Sequence, residues 1–235
     1  MPGKLILIPT TIAEGTHKSV LTEQARSELA NTRFFLAENV RTARRYLSSL
    51  QLYSSIEELD FNVLDKDTPI ETVRDLLKPI DSGSNIGVIS ESGCPGIADP
   101  GAMAVRVAHE NSIKVVPLVG PSSILLALMA SGLDGQRFAF NGYLPVEGAE
   151  VTKAIRDFEK ESKLKRQTQI FIETPYRNKS LMQALLKNLS ENTLLTVAQD
   201  ITGASEFIKT TTVKNWKSNT PDLPKLPAVY LFLAQ

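Results

Sequence analysis

Two kinds of stretch alternate along this chain: short unbroken apolar runs, and longer segments whose apolar residues recur three and four positions apart. The runs Leu5–Ile8, Phe34–Ala37, Gly87–Ile89 and Val115–Leu118 read as buried strands, since each is too short for a helix and is bounded by turn residues. Helical spacing predicts a helix N-capped by Ser19, with Val20, Leu21, Ala25 and Leu29 on one face, and another over Val40–Leu50. Thr68-Pro69 opens a third helix, running to Leu77, and Ala102–Glu110 forms a fourth. Strands alternating with helices predict a mostly parallel sheet. After Gly120-Pro121-Ser122 the pattern changes. Helices over Ser123–Ser131, Ala149–Leu164 and Lys179–Leu189 interleave with strands Phe138–Asn141 and Gln169–Glu173. Three strand-like runs follow, Leu194–Ala198, Phe207–Val213 and Val229–Leu233, and the lack of a long helix between the last two predicts antiparallel pairing in a mixed sheet. The expected organisation is two α/β domains, 1–117 and 118–235.

Composition narrows the class. Of 235 residues, 42 % are hydrophobic, and 26 Lys+Arg balance 26 Asp+Glu to a formal charge of zero. That apolar content excludes intrinsic disorder. The longest wholly apolar run, Ile124–Ala130, is far short of the ~20 residues that span a bilayer, so no membrane partner is expected. The apolar stretch in MPGKLILIPTT is too short for a signal peptide, and a single cysteine suits a reducing compartment, so a cytoplasmic location is expected. Zero net charge removes the simplest electrostatic argument for a nucleic-acid partner.

Most familiar catalytic signatures are missing: there is no G-x-G-x-x-G after the first strand, no Walker A sequence, no G-x-S-x-G and no H-E-x-x-H. His17 and His109 are too few for a histidine metal site; His17 falls in a polar loop and His109 near a helix end. Cys94 has no histidine nearby and reads as a packed loop residue. The informative stretch is Ser90-Glu-Ser-Gly-Cys-Pro-Gly-Ile-Ala-Asp-Pro-Gly101, between a strand and a helix. Open α/β folds bind ligands at such strand ends, and glycines bring backbone N–H and C=O groups close to a ligand. The competing reading is a plain turn in which Asp99 caps the next helix. Pro117–Ser123 repeats the arrangement, and with Pro9 at the end of the first strand these loops suggest one cleft.

Several blocks, in this order, carry a resemblance. They are Leu7-Ile-Pro-Thr10, Ala37-Glu-Asn-Val-Arg41, Ser90–Gly101 and Val116-Pro-Leu-Val-Gly-Pro-Ser122, followed by Ser131-Gly-Leu133, Arg137–Pro145, Glu173-Thr-Pro-Tyr-Arg177 and Ala198-Gln-Asp200. The series resembles the tetrapyrrole-methylase superfamily of S-adenosylmethionine (SAM) methyltransferases. Within it, it is most similar to the ribosomal RNA small-subunit methyltransferase I branch, which methylates a cytidine 2′-oxygen of 16S ribosomal RNA. The resemblance implies two α/β domains with SAM in the cleft between them, and homodimers. It implies mostly backbone SAM contacts from Pro9, from Ser90, Ser92, Gly93, Pro95 and Ile97 in the long loop, and from Ser122 and Ser123. It adds Asn141, Gly142, Tyr143 and Leu144, the strand end at Ala198, and Ala228 with Val229. The methyl of a sulfonium is already activated, so alignment is the protein's main task and a sparse catalytic constellation is expected.

On the acceptor side the chain departs from the branch. Glu38-Asn-Val-Arg-Thr42 stands where the branch has Glu-Asp-Thr-Arg-His, and Leu64-Asp-Lys-Asp-Thr68 replaces a His-Glu-His-Asn-Glu-like stretch. A ribose hydroxyl must lose a proton during transfer, which makes Glu38 the candidate base; its other reading is a cap or dipole partner of the helix from Val40. Arg41, Arg44 and Arg45 start that helix; Arg41 and Arg44 share a face and are candidates for holding a phosphate, as is Arg177 in its turn. The segment Lys153–Arg166 alternates charge like a solvated helix, with a basic end at Lys163–Arg166. Ribosomal RNA or the small ribosomal subunit is the expected acceptor. The rivals are a small tetrapyrrole or corrin substrate, and SAM binding without methyl transfer.

Overall fold

The computed structural model describes residues 2–146 and 148–235. The chain forms two compact units, Met1–Ser122 and Ser123–Gln235. The first runs β1 (Lys4–Ile8), α1 (His17–Val20), α2 (Glu23–Ala30), β2 (Phe34–Ala37), α3 (Val40–Leu50), β3 (Asp60–Val63), α4 (Ile70–Leu77), β4 (Ile86–Ile89), α5 (Ala102–Glu110) and β5 (Lys114–Pro117). Its strands pair in parallel in the order β3-β2-β4-β1-β5. Why the inner strands β1, β2 and β4 are largely apolar follows from the pleat, which sends alternate residues to opposite faces that are both covered. Ile6, Ile8, Phe35, Ala37 and Ile89 pack beneath Ala25, Leu29, Ala43 and Leu47 of α2 and α3. Leu5, Leu36, Ile86 and Val88 pack on the other face, beneath Val73, Leu77, Ala104 and Val107 of α4 and α5.

The second unit contains α6 (Ser123–Ser131), β6 (Phe138–Phe140), α7 (Gly148–Lys165), β7 (Thr168–Glu173), α8 (Asn178–Asn188), β8 (Leu194–Gln199), β9 (Phe207–Thr212), α9 (Val213–Ser218) and β10 (Ala228–Leu233). Its sheet has the order β6-β7-β10-β8-β9. β6 and β7 are parallel, while β10 runs antiparallel to both β7 and β8, and β9 antiparallel to β8. Phe171, Tyr230, Phe232 and Trp216 are fully buried in its core. The parallel first sheet and mixed second sheet are those expected from the sequence.

Two local expectations are corrected, and one strand is added. Ser19 does not cap a helix: its Oγ donates to Thr16 O at 2.9 Å, and the chain turns once as α1 before restarting. The cap of α2 is Thr22, whose Oγ1 accepts from Ala25 N at 3.1 Å. The run from Phe207 ends at Thr212, because Thr212 Oγ1 caps α9 by accepting from Asn215 N. The edge strand β3 escapes periodicity because Asp60, Asn62 and Val63 are exposed and only Phe61 is half-buried.

Candidate functional site

In the first unit the loops after β1, β4 and β5 interlock. Gly93 O accepts from Thr10 N at 2.8 Å and from Ser90 Oγ at 2.7 Å, and the Ser90 and Thr10 hydroxyls lie 3.2 Å apart. Gly93 has φ +77°, in the region that favours glycine, with Pro121 O close to where a side chain would begin. Cys94 Sγ donates to Pro121 O at 3.4 Å, and burial pushes its thiol pKa up, so Cys94 is a packed loop residue and not an activated nucleophile. At Gly120 an added Cβ would sit 2.1 Å from Pro9 Cγ. Pro9, Ser90, Gly93 and the Gly120-Pro121 turn are thus held against one another, at Gly120 by an approach that only glycine allows. Gly120→Ala is expected to lower unfolding free energy by about 2 kcal/mol, because a rigid proline ring cannot yield to it. A urea unfolding midpoint equal to wild type would contradict this close approach.

Along the rest of the loop, Pro95 is buried while Ser92 is exposed and Ile97 is 53 % exposed. Asp99 does not cap α5, whose N-cap is Gly101 with no side-chain bond. Instead Asp99 Oδ2 accepts from Glu91 N at 3.1 Å and closes the loop on itself. Burial raises its pKa to about 6; the Glu91 N–H opposes this, and the charges of Glu38 and Glu91 add to it. The folded chain therefore holds this proton more tightly than the unfolded chain does. Its contribution to stability is greatest below about pH 4 and declines as pH rises through about 6. Asp99→Asn keeps an acceptor for Glu91 N. It is expected to be more stable than wild type by about 1 kcal/mol near pH 8, after allowance for solvent screening, with the difference vanishing towards pH 4. Thermal denaturation of both proteins across that range tests this; a constant difference contradicts it.

Beside these loops lies a cavity of about 370 Å³ at the carboxyl ends of β1, β2 and β4. Thr10, Thr11, Glu14, His17, Glu38, Ser90 and Glu91 line one side, and Asn39, Thr42, Arg45, Tyr46 and Ser49 bring in α3. Glu38 is exposed on this wall. It is not the cap of α3, because Asn39 Oδ1 takes that place by accepting from Thr42 N at 3.1 Å. The arginines of α3 divide by helical phase. Thr42, Arg45, Tyr46 and Ser49 share the cavity face, whereas Arg44 turns to Glu57 and stacks its guanidinium over Phe61, 5.4 Å from the ring centroid. Arg41 is exposed and does not line the cavity. Arg45 was named from the sequence only together with Arg41 and Arg44 at the start of this helix, and Tyr46 not at all; their i,i+3 and i,i+4 spacing from Thr42 is the signal that places them on one face.

In the second unit the expected cofactor residues gather at one end of the sheet, where β6, β7 and β8 end and antiparallel β10 begins. Asn141 N donates to Ile170 O, and Gly142 O accepts from Ile172 N, both at 2.9 Å. Tyr143 is 56 % exposed and Leu144 is buried. Ala198, Ala228 and Val229 are buried within the strand ladder, with Val229 opposite Ala198 and Ala228 between Glu173 and Gln199. Ser123 begins α6. Arg177 has partners of its own: Nη2 donates to Leu144 O at 3.2 Å and Pro145 O at 2.9 Å, and it lies 3.2 Å from the buried Glu173 Oε2. The expected anion contact is thereby replaced by a clamp on the segment from Asn141. Glu173 and Gln199, two buried polar residues at these strand ends, lie within motif blocks of the sequence, but no local pattern marks them as buried. Gln199 Nε2 donates to Pro224 O and Leu226 O, while Gln199 Oε1 is buried with no hydrogen bond among the described residues.

The sequence profile of the tetrapyrrole (corrin/porphyrin) methylases matches residues 17–216. The chain belongs to that family. This tetrapyrrole methylase is 30 % identical over 228 residues to the ribosomal RNA small subunit methyltransferase I of Haemophilus influenzae, covering 96 % of this chain and 76 % of that protein. It is 31 % identical over 207 residues to the protein of the same name from Escherichia coli O157:H7, covering 88 % and 68 %. Among solved structures, the methyltransferase CobJ aligns with TM-score 0.61 at 16 % identity over 99 % of this chain and 94 % of that one. Uroporphyrin-III-C-methyltransferase from Thermus thermophilus aligns with TM-score 0.57 at 18 % identity over 99 % and 93 %. At such identities the likeness is one of fold. Tetrapyrrole methylases take their methyl group from SAM, and this chain is a SAM-dependent methyltransferase. The first unit's loop fits such a donor: glycines at positive φ present backbone groups beside the exposed Ile97.

Proposed function

We propose that the protein methylates a ribose 2′-oxygen of 16S ribosomal RNA. The observation that carries this reading is the charge of the cavity. Three glutamates, Glu14, Glu38 and Glu91, face one arginine and one histidine there. A tetrapyrrole bearing many carboxylates would meet like charge on this wall. A ribose hydroxyl needs instead an acceptor for its proton, and Glu38 is exposed, with no ion-pair partner among the described residues. Relatives named for small-subunit ribosomal RNA methylation support the same choice.

In this reading the cofactor contacts are Pro9, Ser90, Ser92, Gly93, Pro95, Ile97 and Ser122 in the first unit. Ser123, Asn141, Gly142, Tyr143, Leu144, Ala198, Ala228 and Val229 supply those of the second. SAM brings a methyl group on a positively charged sulfur, leaving as S-adenosylhomocysteine once the oxygen has taken the methyl. The protein's part is to hold the donor by backbone groups, to line the acceptor oxygen up with it, and to receive the hydroxyl proton on a Glu38 carboxylate oxygen. Location with the ribosome in the cytoplasm follows from this acceptor. A homodimer is the proposed assembly, supported by the exposed Leu125 and Met129 one turn apart on α6.

The test is transfer of label from methyl-labelled SAM to small ribosomal subunits lacking 2′-O-methylation, with mapping of the modified nucleotide. Incorporation at a ribose 2′-oxygen is expected. Measurable binding of S-adenosylhomocysteine without transfer to subunits or naked RNA would overturn the assignment, and transfer to a uroporphyrinogen would replace it.

A further inference from the structure

We infer that Arg45 holds a phosphate flanking the acceptor nucleotide, in place of the neighbouring Arg41 and Arg44. The inference rests on the RNA reading of the cavity and adds a residue to it. The phase of α3 selects Arg45: with Thr42 three residues before and Ser49 four after, it lies on the cavity wall, together with Tyr46. Arg44, one position earlier, is occupied by Glu57 and by the Phe61 ring. Arg45 is exposed and has no ion-pair partner among the described residues. A guanidinium offers five donors in a fixed fork, which suits two phosphate oxygens at once.

Placement along the helix gives the cavity two chemically different ends. Glu38 precedes the cap Asn39 at the carboxyl end of β2, and Arg45 follows six residues after that cap, a rise of about 9 Å. One end can take a proton from a hydroxyl; the other can neutralise an anion. A nucleotide has that polarity, with a ribose hydroxyl and a phosphodiester joined by a short rigid linkage. The hydroxyl of Thr42 lies on the same helical face as the guanidinium and extends its donor set, whereas Ser49 Oγ donates to Tyr46 O at 2.7 Å. The lone arginine among glutamates also explains how a chain of zero net charge meets RNA. Contact is confined to one or a few phosphates, so binding is only weakly dependent on salt.

Arg45→Ala and Arg45→Lys, compared with wild type, test this in single-turnover methylation of undermethylated small subunits at several salt concentrations. The expected result for Arg45→Ala is a loss of about 30-fold in kcat/KM, carried mainly by KM, with S-adenosylhomocysteine binding unchanged. The slope of log kcat/KM against log salt should shrink by about 0.7, the value for one phosphate on a single strand. Arg45→Lys keeps the charge and should keep the slope. A wild-type KM and slope in Arg45→Ala would overturn the inference while leaving the RNA assignment standing. If wild type transfers nothing to subunits, the RNA assignment falls, and binding of cytidine 5′-monophosphate and cytidine decides Arg45 separately. Tighter binding of the monophosphate by wild type but not by Arg45→Ala upholds the phosphate contact; equal binding by both proteins removes it.

Discussion

Glu38→Gln is expected to slow methyl transfer to small ribosomal subunits by about 10²- to 10³-fold near neutral pH, the loss usual when a positioned base is removed. The amide has the shape of the carboxylate and can still accept a hydrogen bond from the acceptor hydroxyl, but it cannot take the proton. Folding should be nearly unchanged, because Glu38 is exposed and the cap of α3 belongs to Asn39. S-adenosylhomocysteine affinity should be unchanged too, which separates this loss from damage to cofactor binding. Single-turnover rates with labelled SAM, alongside calorimetric binding, measure both. A rate within about threefold of wild type would mean that the proton leaves to water or another group, and that alignment supplies most of the acceleration.

Arg177→Ala has the largest expected effect on stability. Glu173 is 2 % exposed, and the Arg177 guanidinium compensates it while also donating to Leu144 O and Pro145 O. Removing the arginine leaves a buried carboxylate without a counter-charge and two carbonyls without that donor, a loss of about 3 kcal/mol. Urea unfolding should show a clearly lower midpoint, and the double variant Glu173→Gln with Arg177→Ala should recover much of it, since the stranded charge is then gone. If Arg177 served as an RNA contact, the single variant would instead keep its midpoint and lose affinity for subunits. The two outcomes are easily told apart.

The strands of both sheets were legible where burial on two faces demands apolar residues in succession. Leu5–Ile8 and Phe34–Ala37 are such runs, and their structural limits match closely. Legibility failed where an element is short or held by a single hydroxyl. Ser19 and Thr22 are both acceptable caps by residue type, and the choice fell to Thr22 because Ser19 Oγ bonds back to Thr16 O. β3 pairs with β2 along one edge only, so its side chains need not be apolar. Asp99 looked like a cap for the same local reason, yet its carboxylate closes the loop on Glu91 N.

The order of apolar runs was enough for the fold class, and the series of motif blocks was enough for the family. Periodicity and residue order are local properties that survive in any reading of the chain. Which arginine faces the cavity was a different kind of question. Arg41, Arg44 and Arg45 are chemically alike, and only the packing of α3 against β2 settled its phase, turning Arg44 to Glu57 and Arg45 to the cavity wall. Arg177 met its partners through a buried carboxylate four residues away and carbonyls more than thirty residues away, contacts no local pattern encodes. Charge balance, uninformative when counted over the chain, became informative once tertiary structure divided it into paired surface ions and a few groups facing one cavity.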